Sequence, residues 1–261
     1  MPSKKRNLLA ASNAGGVSGQ ELLTAASGTF VVPDGVTELN VCCIGPGGNG
    51  AATVDAYYGW PHYMSFPVGS GSGGGGALCY KNGIVVTSGE SITYTIGATG
   101  SKFNAGGTDD LTAQKGANAS GRFVGAAATA TNGDQNSSGG LGIQGAGSRC
   151  GGGGAAGSWT GTGASGDTLA TVSSGGGSGG LNRHAATADG GGGIGIAVKG
   201  TTSATKGVAG SGGTDQSSGV GGSYGAGGAG GWYGVTPSGG PGAIRITWGA
   251  SRTYPNDSAD V

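Results

Sequence analysis

The chain has 261 residues, and 67 of them are glycine, far above the usual share of about 7%. Charged residues make up only 10%, and 13 basic residues balance 13 acidic ones, so the formal net charge is zero. The glycines follow no strict three-residue repeat, which excludes collagen, and no apolar run reaches the roughly 18 residues of a transmembrane helix. Glycine costs roughly 1 kcal/mol per helical residue relative to alanine, which disfavours a helical protein, and zero net charge argues against nucleic acid as a partner.

The glycine-poor parts of the chain carry strand patterns. Short segments there alternate apolar and polar residues or are wholly apolar, which is typical of half-buried and central strands. In chain order these are residues 29–32, 38–44, 77–81, 84–87, 91–96 and 243–248. Asn82-Gly83 is a hairpin signal and predicts a tight turn between the third and fourth segments. The last segment has no local partner, so we predict that Ala243–Trp248 pairs within the sheet formed by residues 29–96.

From Gly97 to Gly242 the strand patterns disappear, and glycine runs alternate with stretches rich in Ser, Thr, Ala and Asn. Two states fit such a segment. One is a disordered linker. The other is a packed bundle of helices of the polyproline II type, with three residues per turn, whose backbone groups bond to neighbouring helices because no Cβ atoms keep them apart. The repetition of run and loop favours the bundle.

These patterns predict a mostly β protein with little or no α-helix, in which a small antiparallel β-sandwich domain carries a large inserted polyglycine-II helix bundle. The predicted parts are an N-terminal arm at 1–28, a β domain at 29–97 plus 243–255, a glycine-rich insertion with variable loops at 98–242, and a C-terminal tail at 256–261. Both ends of the insertion are then held by one β domain.

The sequence lacks the patterns of an enzyme or a metal centre. Only two histidines occur, no CxxC spacing exists, and the GxGxxG-like strings do not join a strand to a helix as phosphate binding requires. The four cysteines are expected to be small buried hydrophobes, with Cys42 and Cys43 on opposite faces of one strand. Asp109-Asp110 is compatible with calcium, although a surface loop is the simpler interpretation. We predict no catalytic residue, no cofactor and no bound metal.

Separate blocks of the sequence resemble glycine-rich phage tail proteins. The first block leads from a strand through Val-Pro-x-Gly-Val-Thr to an apolar strand that ends in Gly-x-Gly-Gly, and the last is a closing strand with its tail. The blocks are residues 30–37, 44–48, 75–86, 88–97, 242–249 and 252–255. The resemblance implies a virion protein of the tail-fibre type, similar to receptor-binding adhesins whose glycine-rich helices form a polyglycine sandwich.

Two kinds of contact are expected. The resemblance implies that loops between the glycine helices touch a host receptor, protein or glycan. The N-terminal arm at 1–28 departs from those adhesins, and because it lacks a core of its own we expect it to attach the chain to other tail or capsid proteins. Binding normally depends on a few large anchors such as Trp, Tyr and Arg, which glycine runs do not offer. The receptor-contact candidates are Trp159, Arg183, His184, Tyr57, Tyr58, Trp60 and Tyr63, and the virion-anchor candidates are Lys4, Lys5, Arg6, Leu8 and Leu9.

Plainer interpretations stand beside these. Lys4-Lys5-Arg6 also fits a solvated terminus or a nucleic-acid contact, and the aromatic residues at 57–66 also fit a core. The chain as a whole also fits a decoration, capsid or tail protein without a receptor, or a cellular glycine-rich ice-binding or wall protein. We expect a non-enzymatic virion protein on the particle surface or tail, assembled in the host cytoplasm, without nucleic acid or membrane insertion. A homotrimer is compatible with this role.

Overall fold

The computed structural model describes most of the chain. The described residues are 17–52, 54–58, 64–145, 150–159, 161–166, 190–194, 196, 219–231 and 235–255, with the backbone alone for 54–58 and 64–68. These residues form 12 strands and one short 3-10 helix, Gly107–Asp109. Nothing helical among them is long and apolar enough to cross a membrane. The prediction of a mostly β protein with almost no helix is confirmed.

Most of the strands form two antiparallel sheets of five strands each, which we call sheet A and sheet B. Sheet A has the order β1 (Gly19–Leu23), β12 (Ala243–Trp248), β3 (Glu38–Ile44), β6 (Leu78–Val85) and β11 (Gln135–Ser137). Sheet B has the order β10 (Ala130–Thr131), β9 (Leu111–Gln114), β8 (Gly100–Asn104), β7 (Ser91–Gly97) and β2 (Ser27–Val31). The remaining strands, β4 (Val54–Tyr58) and β5 (Met64–Val68), pair with each other.

The last strand lies inside sheet A, as predicted. β12 pairs antiparallel with β3 on one side and with β1 on the other, and Ile244 lies opposite Cys43. Successive side chains of a strand point to opposite faces, so Ile244 and Ile246 share a face, and both are fully buried in the core between the sheets. The strand therefore joins the two ends of the described chain in one sheet.

The main hydrophobic core lies between the two sheets. The alternation of β7 shows how it forms, because Ile92 and Ile96 are buried there while their strand neighbours are exposed. The ring centroid of Phe30 in sheet B lies 6.0 Å from that of Trp248 in sheet A and 6.4 Å from that of Phe103. Burial of these apolar side chains holds the two sheets together.

The outer face of sheet A is buried by a second core. Cys42, Ile44 and Leu78 pack there in one cluster with Trp159, whereas Cys43 belongs to the core between the sheets. This confirms the predicted placement of the two neighbouring cysteines on opposite faces. The central strands β3 and β12 are thus covered on both sides, which explains why 38–44 becomes wholly apolar toward its end.

The tight turn predicted at Asn82-Gly83 is wrong. β6 runs through these residues, and its register with β3 shifts between Leu39 and Val41, so that Asn82 and Gly83 together oppose Asn40. Gly83 has a φ of 71°, and its N–H donates to the Asn40 side chain at 2.9 Å. An Asn-Gly pair supplies the positive φ of a β-bulge as readily as that of a turn, and the same apolar flanks fit both.

Strands also lie where none was predicted. β8, β9, β10 and β11 fall inside the segment 98–242, and β1 falls inside the predicted arm at 1–28. Their residues are mostly small and polar, and each strand has at most five residues. Such short alternation does not stand out from the surrounding glycine-rich sequence. The β part of the molecule is therefore larger than predicted.

The glycine-rich segments bond to one another through their backbones in what we call the glycine network. Its centre is residues 70–77, which are buried and lead into β6. Their N–H groups donate to three neighbouring segments in turn, and their carbonyl oxygens accept from three others. The accepting segments are 114–121, 140–143 and 225–228, and the donating segments are 45–51, 125–128 and 151–157. Bonds to any one neighbour recur at about every third residue.

The close approach of these backbones explains the glycine content. A Cβ atom added at Gly75 would lie 1.8 Å from the carbonyl oxygen of Ala155, and one added at Gly76 would lie 1.9 Å from that of Gly45. Side chains cannot occupy such positions without moving a neighbouring backbone. The buried N–H and C=O groups are paired across the gaps that glycine leaves, as burial requires.

The network continues directly from the strands. Residues 45–51 follow β3, and the hydrogen bond from Gly45 N to Ala77 O, 2.8 Å long, extends the pairing of β3 with β6. Six residues further along the first segment, Ala51 N donates to Gly71 O at 3.0 Å. The network therefore has a sheet end, where the strands begin, and a far end at the level of Ala51 and Gly71.

Candidate receptor-contact surface

The chain reverses direction at the far end of the glycine network. β4 and β5 leave the network after 45–51 and return to it before 70–77. Another segment reaches the same level, because Gly231 N donates to Ala51 O at 2.8 Å and the Ser70 hydroxyl donates to Gly231 O at 2.7 Å. Segment 114–121 also ends at this level, because Gly121 O accepts from Gly71 N. We define the far surface as β4, β5 and residues 120–124.

A tight turn exposes side chains on the far surface. Ser120 and Phe123 exchange two backbone N–H to O hydrogen bonds of 3.2 and 2.9 Å, and Gly71 N donates to Gly121 O at 2.8 Å. Gly121 has a φ of 57°, a conformation that glycine adopts without cost. The turn leaves Arg122 exposed and Phe123 79% exposed.

Phe123 is the functional candidate that the sequence interpretation missed. A phenyl ring this exposed has no packing role among the described residues, and aromatic anchors of this kind are frequent at interfaces. The local sequence gives no signal that could have found it, because Phe123 lies between Gly121 and Gly125 with the same spacing that Gly157 and Gly161 have around the buried Trp159. The next residue, Val124, is 40% exposed and enlarges the apolar area of the turn.

The other candidates fall into two groups. Tyr57 and Tyr58 lie in β4, opposite Ser65 and Met64 of β5, and so belong to the far surface. Outside the described residues lie Trp60, Tyr63, Arg183 and His184, together with the anchor candidates Lys4, Lys5, Arg6, Leu8 and Leu9. The structure thus brings two of the predicted tyrosines to the end of the network that also carries the 120–124 turn.

Trp159 is a packing residue, which corrects its prediction as a receptor contact. It follows Ser158, whose N–H donates to Gly161 O at 2.9 Å in a turn beside sheet A. The indole is 1% exposed and stacks on Tyr254, with ring centroids 5.6 Å apart and ring planes 14° apart. Tyr80 contacts it at 6.0 Å between centroids. A tryptophan between glycine runs carries no sign in the sequence of which end of the network it occupies.

Two buried arginines hold the C-terminal residues against sheet A. Arg245 Nε donates to the Gln20 side-chain oxygen at 3.0 Å, and Arg252 Nη2 donates to the same atom at 3.2 Å. The Tyr254 hydroxyl donates to the backbone oxygen of Arg245 at 3.3 Å. Hydrogen bonding of this kind is what buried polar side chains require, so we assign the group a structural role.

The Cys42 thiol lies buried in the second core. Burial, and next the charge of Cys79, raises the pKa of the Cys42 thiol well above its usual value, which disfavours the nucleophilic thiolate. Asp109 pairs with Lys81 at 2.8 Å, as in a surface loop. Within the described ranges, nowhere do three or more His, Cys, Asp or Glu side chains gather as metal ligands do.

Comparison with known proteins gives no family model and no curated protein that matches the chain. The functional interpretation therefore depends on the geometry of the far surface and on the sequence blocks that resemble phage tail proteins.

Proposed function

We propose that the chain is a phage virion protein, a tail-fibre or tail-associated adhesin that displays recognition loops at the far end of a bundle of polyglycine II helices. The observation that carries the proposal is the separation of two ends. The sheets gather at one end of the glycine network, whereas β4, β5 and the turn with Phe123 gather at the other. A rigid support with exposed loops at its tip suits recognition.

Hydrogen bonding supports the bundle. A polyglycine II helix has three residues per turn and no internal hydrogen bonds, so its backbone groups point outward to surrounding helices. Bonds from residues 70–77 to each neighbour recur with a spacing of about three, and six segments surround them. At ~3.1 Å per residue, the seven residues of segment 45–51 would carry the chain roughly 22 Å from the end of β3.

The chemistry of the far surface supports recognition. Glycine runs present few side chains to a partner, so selectivity must come from the connections between them. Arg122 and Phe123 are exposed there, and Tyr57 and Tyr58 lie in β4, which is part of the same surface. These are the residue types that dominate binding energies, and a rigid support spares the cost of ordering a flexible loop.

A second candidate is a decoration, capsid or tail structural protein without a receptor. The burial of Trp159 favours it, because this residue is one of the few large aromatics and it serves the core rather than a contact. The two candidates differ in what the far surface does in the assembled particle.

Adsorption to host cells separates them. Particles assembled with Arg122→Ala and Phe123→Ala should adsorb roughly tenfold or more slowly, since truncating an interface anchor costs about 2 kcal/mol. The matched control is Val85→Ala, because Val85 is 78% exposed but ends β6 on the side away from the network. If adsorption stays normal in the Arg122→Ala/Phe123→Ala double variant and also after Tyr57→Ala and Tyr58→Ala, these far-surface residues do not contact a receptor, as the second candidate requires.

A further inference from the structure

Strand β2 is an edge strand of sheet B, and none of the described strands lies beyond it. Val32 N donates to Glu90 O at 2.8 Å, and Ile96 N donates to Ala26 O at 2.7 Å, so the even-numbered residues of this segment face β7. In an antiparallel pair the residues between them turn their backbone groups the other way. These outward residues are Ser27, Thr29 and Val31, and their N–H and C=O groups bond to none of the described residues.

The open edge lacks the usual protection. Natural sheets blunt their edges with charges, proline, bulges or very short strands. On the opposite flank β10 has two residues and β11 three, and the edge strand β1 carries the exposed Glu21. β2 has five residues in regular register, without charge, proline or bulge, and its Val31 is 57% exposed. The contrast marks this edge as a place where another strand adds.

We propose that β2 pairs with β2 of a second copy of this chain, antiparallel about a two-fold axis at Thr29. Sheet B of one copy then continues into sheet B of the other. Thr29 lies opposite Thr29 of the second copy, and Ser27 lies opposite Val31, so that all outward backbone groups of both strands find partners. The closed two-fold geometry makes a dimer rather than a trimer.

The composition of the edge favours a second copy over a different partner strand. A two-fold axis brings identical residues together, which is unfavourable when they carry like charges. β2 is uncharged, and the whole chain has zero formal net charge, so copies approach without repulsion. Paired threonines across two strands stabilise a sheet, and the proposed register places Thr29 opposite Thr29 of the second copy. Glu21 in β1 makes the neighbouring edge unsuitable for the same contact.

Light scattering coupled to size exclusion tests the mass over a concentration series. We expect the mass to rise from 24.4 kDa toward twice that value as concentration increases. Thr29→Pro removes an outward N–H that bonds to none of the described residues, and edge strands tolerate proline, so this variant should remain folded and monomeric. Thr29→Val keeps the N–H and should dimerise like the parent. A parent that stays monomeric up to its solubility limit overturns the proposal, as does a folded Thr29→Pro variant that still dimerises.

Cross-linking gives a test that does not depend on the proline variant. Directly opposed residues that exchange hydrogen bonds have Cα atoms about 5.5 Å apart, within the range of about 4.4–6.8 Å that a disulfide spans. Thr29→Cys should therefore form a covalent dimer with oxidised glutathione, while the described cysteines of the parent chain are buried. Ser91→Cys is the control, because Ser91 is exposed on the adjacent interior strand β7. Equal cross-linking of the two variants, or none by Thr29→Cys, contradicts the pairing.

Discussion

Gly75 lies at the centre of the glycine network, and its replacement by alanine tests whether the network is a packed structure. Gly75 N donates to Gly140 O at 2.8 Å, and Gly75 O accepts from Ala128 N at 3.3 Å. The added Cβ would lie 1.8 Å from the oxygen and 2.5 Å from the carbon of the Ala155 carbonyl. Both are backbone atoms, so no side-chain rotation relieves the contact.

The size of the effect follows from the distance that the neighbours must move. To reach the 3.4 Å at which ordinary contact begins, segments 70–77 and 151–157 must separate by about 1.6 Å. Three hydrogen bonds join these segments, from the N–H groups of residues 151, 154 and 157, with lengths of 2.9, 3.1 and 2.8 Å. All three would be broken. At a net cost of about 1 kcal/mol each, the free energy of unfolding should fall by roughly 3 kcal/mol.

The matched control is Gly97→Ala. A Cβ at Gly97, the last residue of β7, meets nothing within 4 Å. Gly→Ala at a compatible site usually stabilises by about 0.4–1 kcal/mol through the unfolded chain. Urea unfolding followed by circular dichroism measures both variants. Gly75→Ala should also lower the melting temperature by roughly 6–12 °C, at about 2–4 °C per kcal/mol for a chain of this size. Equal stabilities of the two variants within ~0.5 kcal/mol would show a disordered linker instead.

Three further predictions concern the cores, the thiols and the arm. Trp159→Ala should lower the free energy of unfolding in urea by about 3–5 kcal/mol and Phe123→Ala by less than about 0.5, and the reverse order would contradict their assigned places. Because burial raises the pKa of Cys42 and Cys43, neither thiol should react with Ellman's reagent at pH 8 until the chain unfolds, and fast reaction of the folded protein would refute this burial. Deleting residues 1–12 should leave a folded protein that no longer enters particles, whereas normal incorporation would exclude the arm as an anchor.

Regular alternation is the part of the fold that sequence patterns predict well. Residues 38–44 and 91–96 match β3 and β7 to within a residue, and β12 pairs where its apolar alternation requires. Each of these strands has one face buried in the core between the sheets, so side-chain chemistry and burial agree. Asn82-Gly83 shows what such patterns do not predict, because an Asn-Gly dipeptide indicates a positive φ but not whether the chain turns or bulges there.

The candidate site was harder to predict because exposure is a long-range property. Trp159 and Phe123 are both single aromatics with a glycine two residues away on either side. One is buried beside sheet A and the other is exposed at the far end of the network. The difference depends on the direction in which each segment runs through the network, which is set by its neighbours and leaves no trace in the local sequence.

The glycine network itself restricts where recognition can reside. At Gly73, Gly74 and Gly76 a Cβ would approach a backbone oxygen of a neighbouring segment to about 2 Å, so these positions exclude side chains, and the serines between them, Ser70 and Ser72, are buried and bond within the network. Chemistry that distinguishes partners must then lie where segments end. At the sheet end, Trp159 in the turn at Ser158 packs into the second core. The exposed ring of Phe123 lies at the other end, which is why we place the proposed receptor contact there rather than along the network.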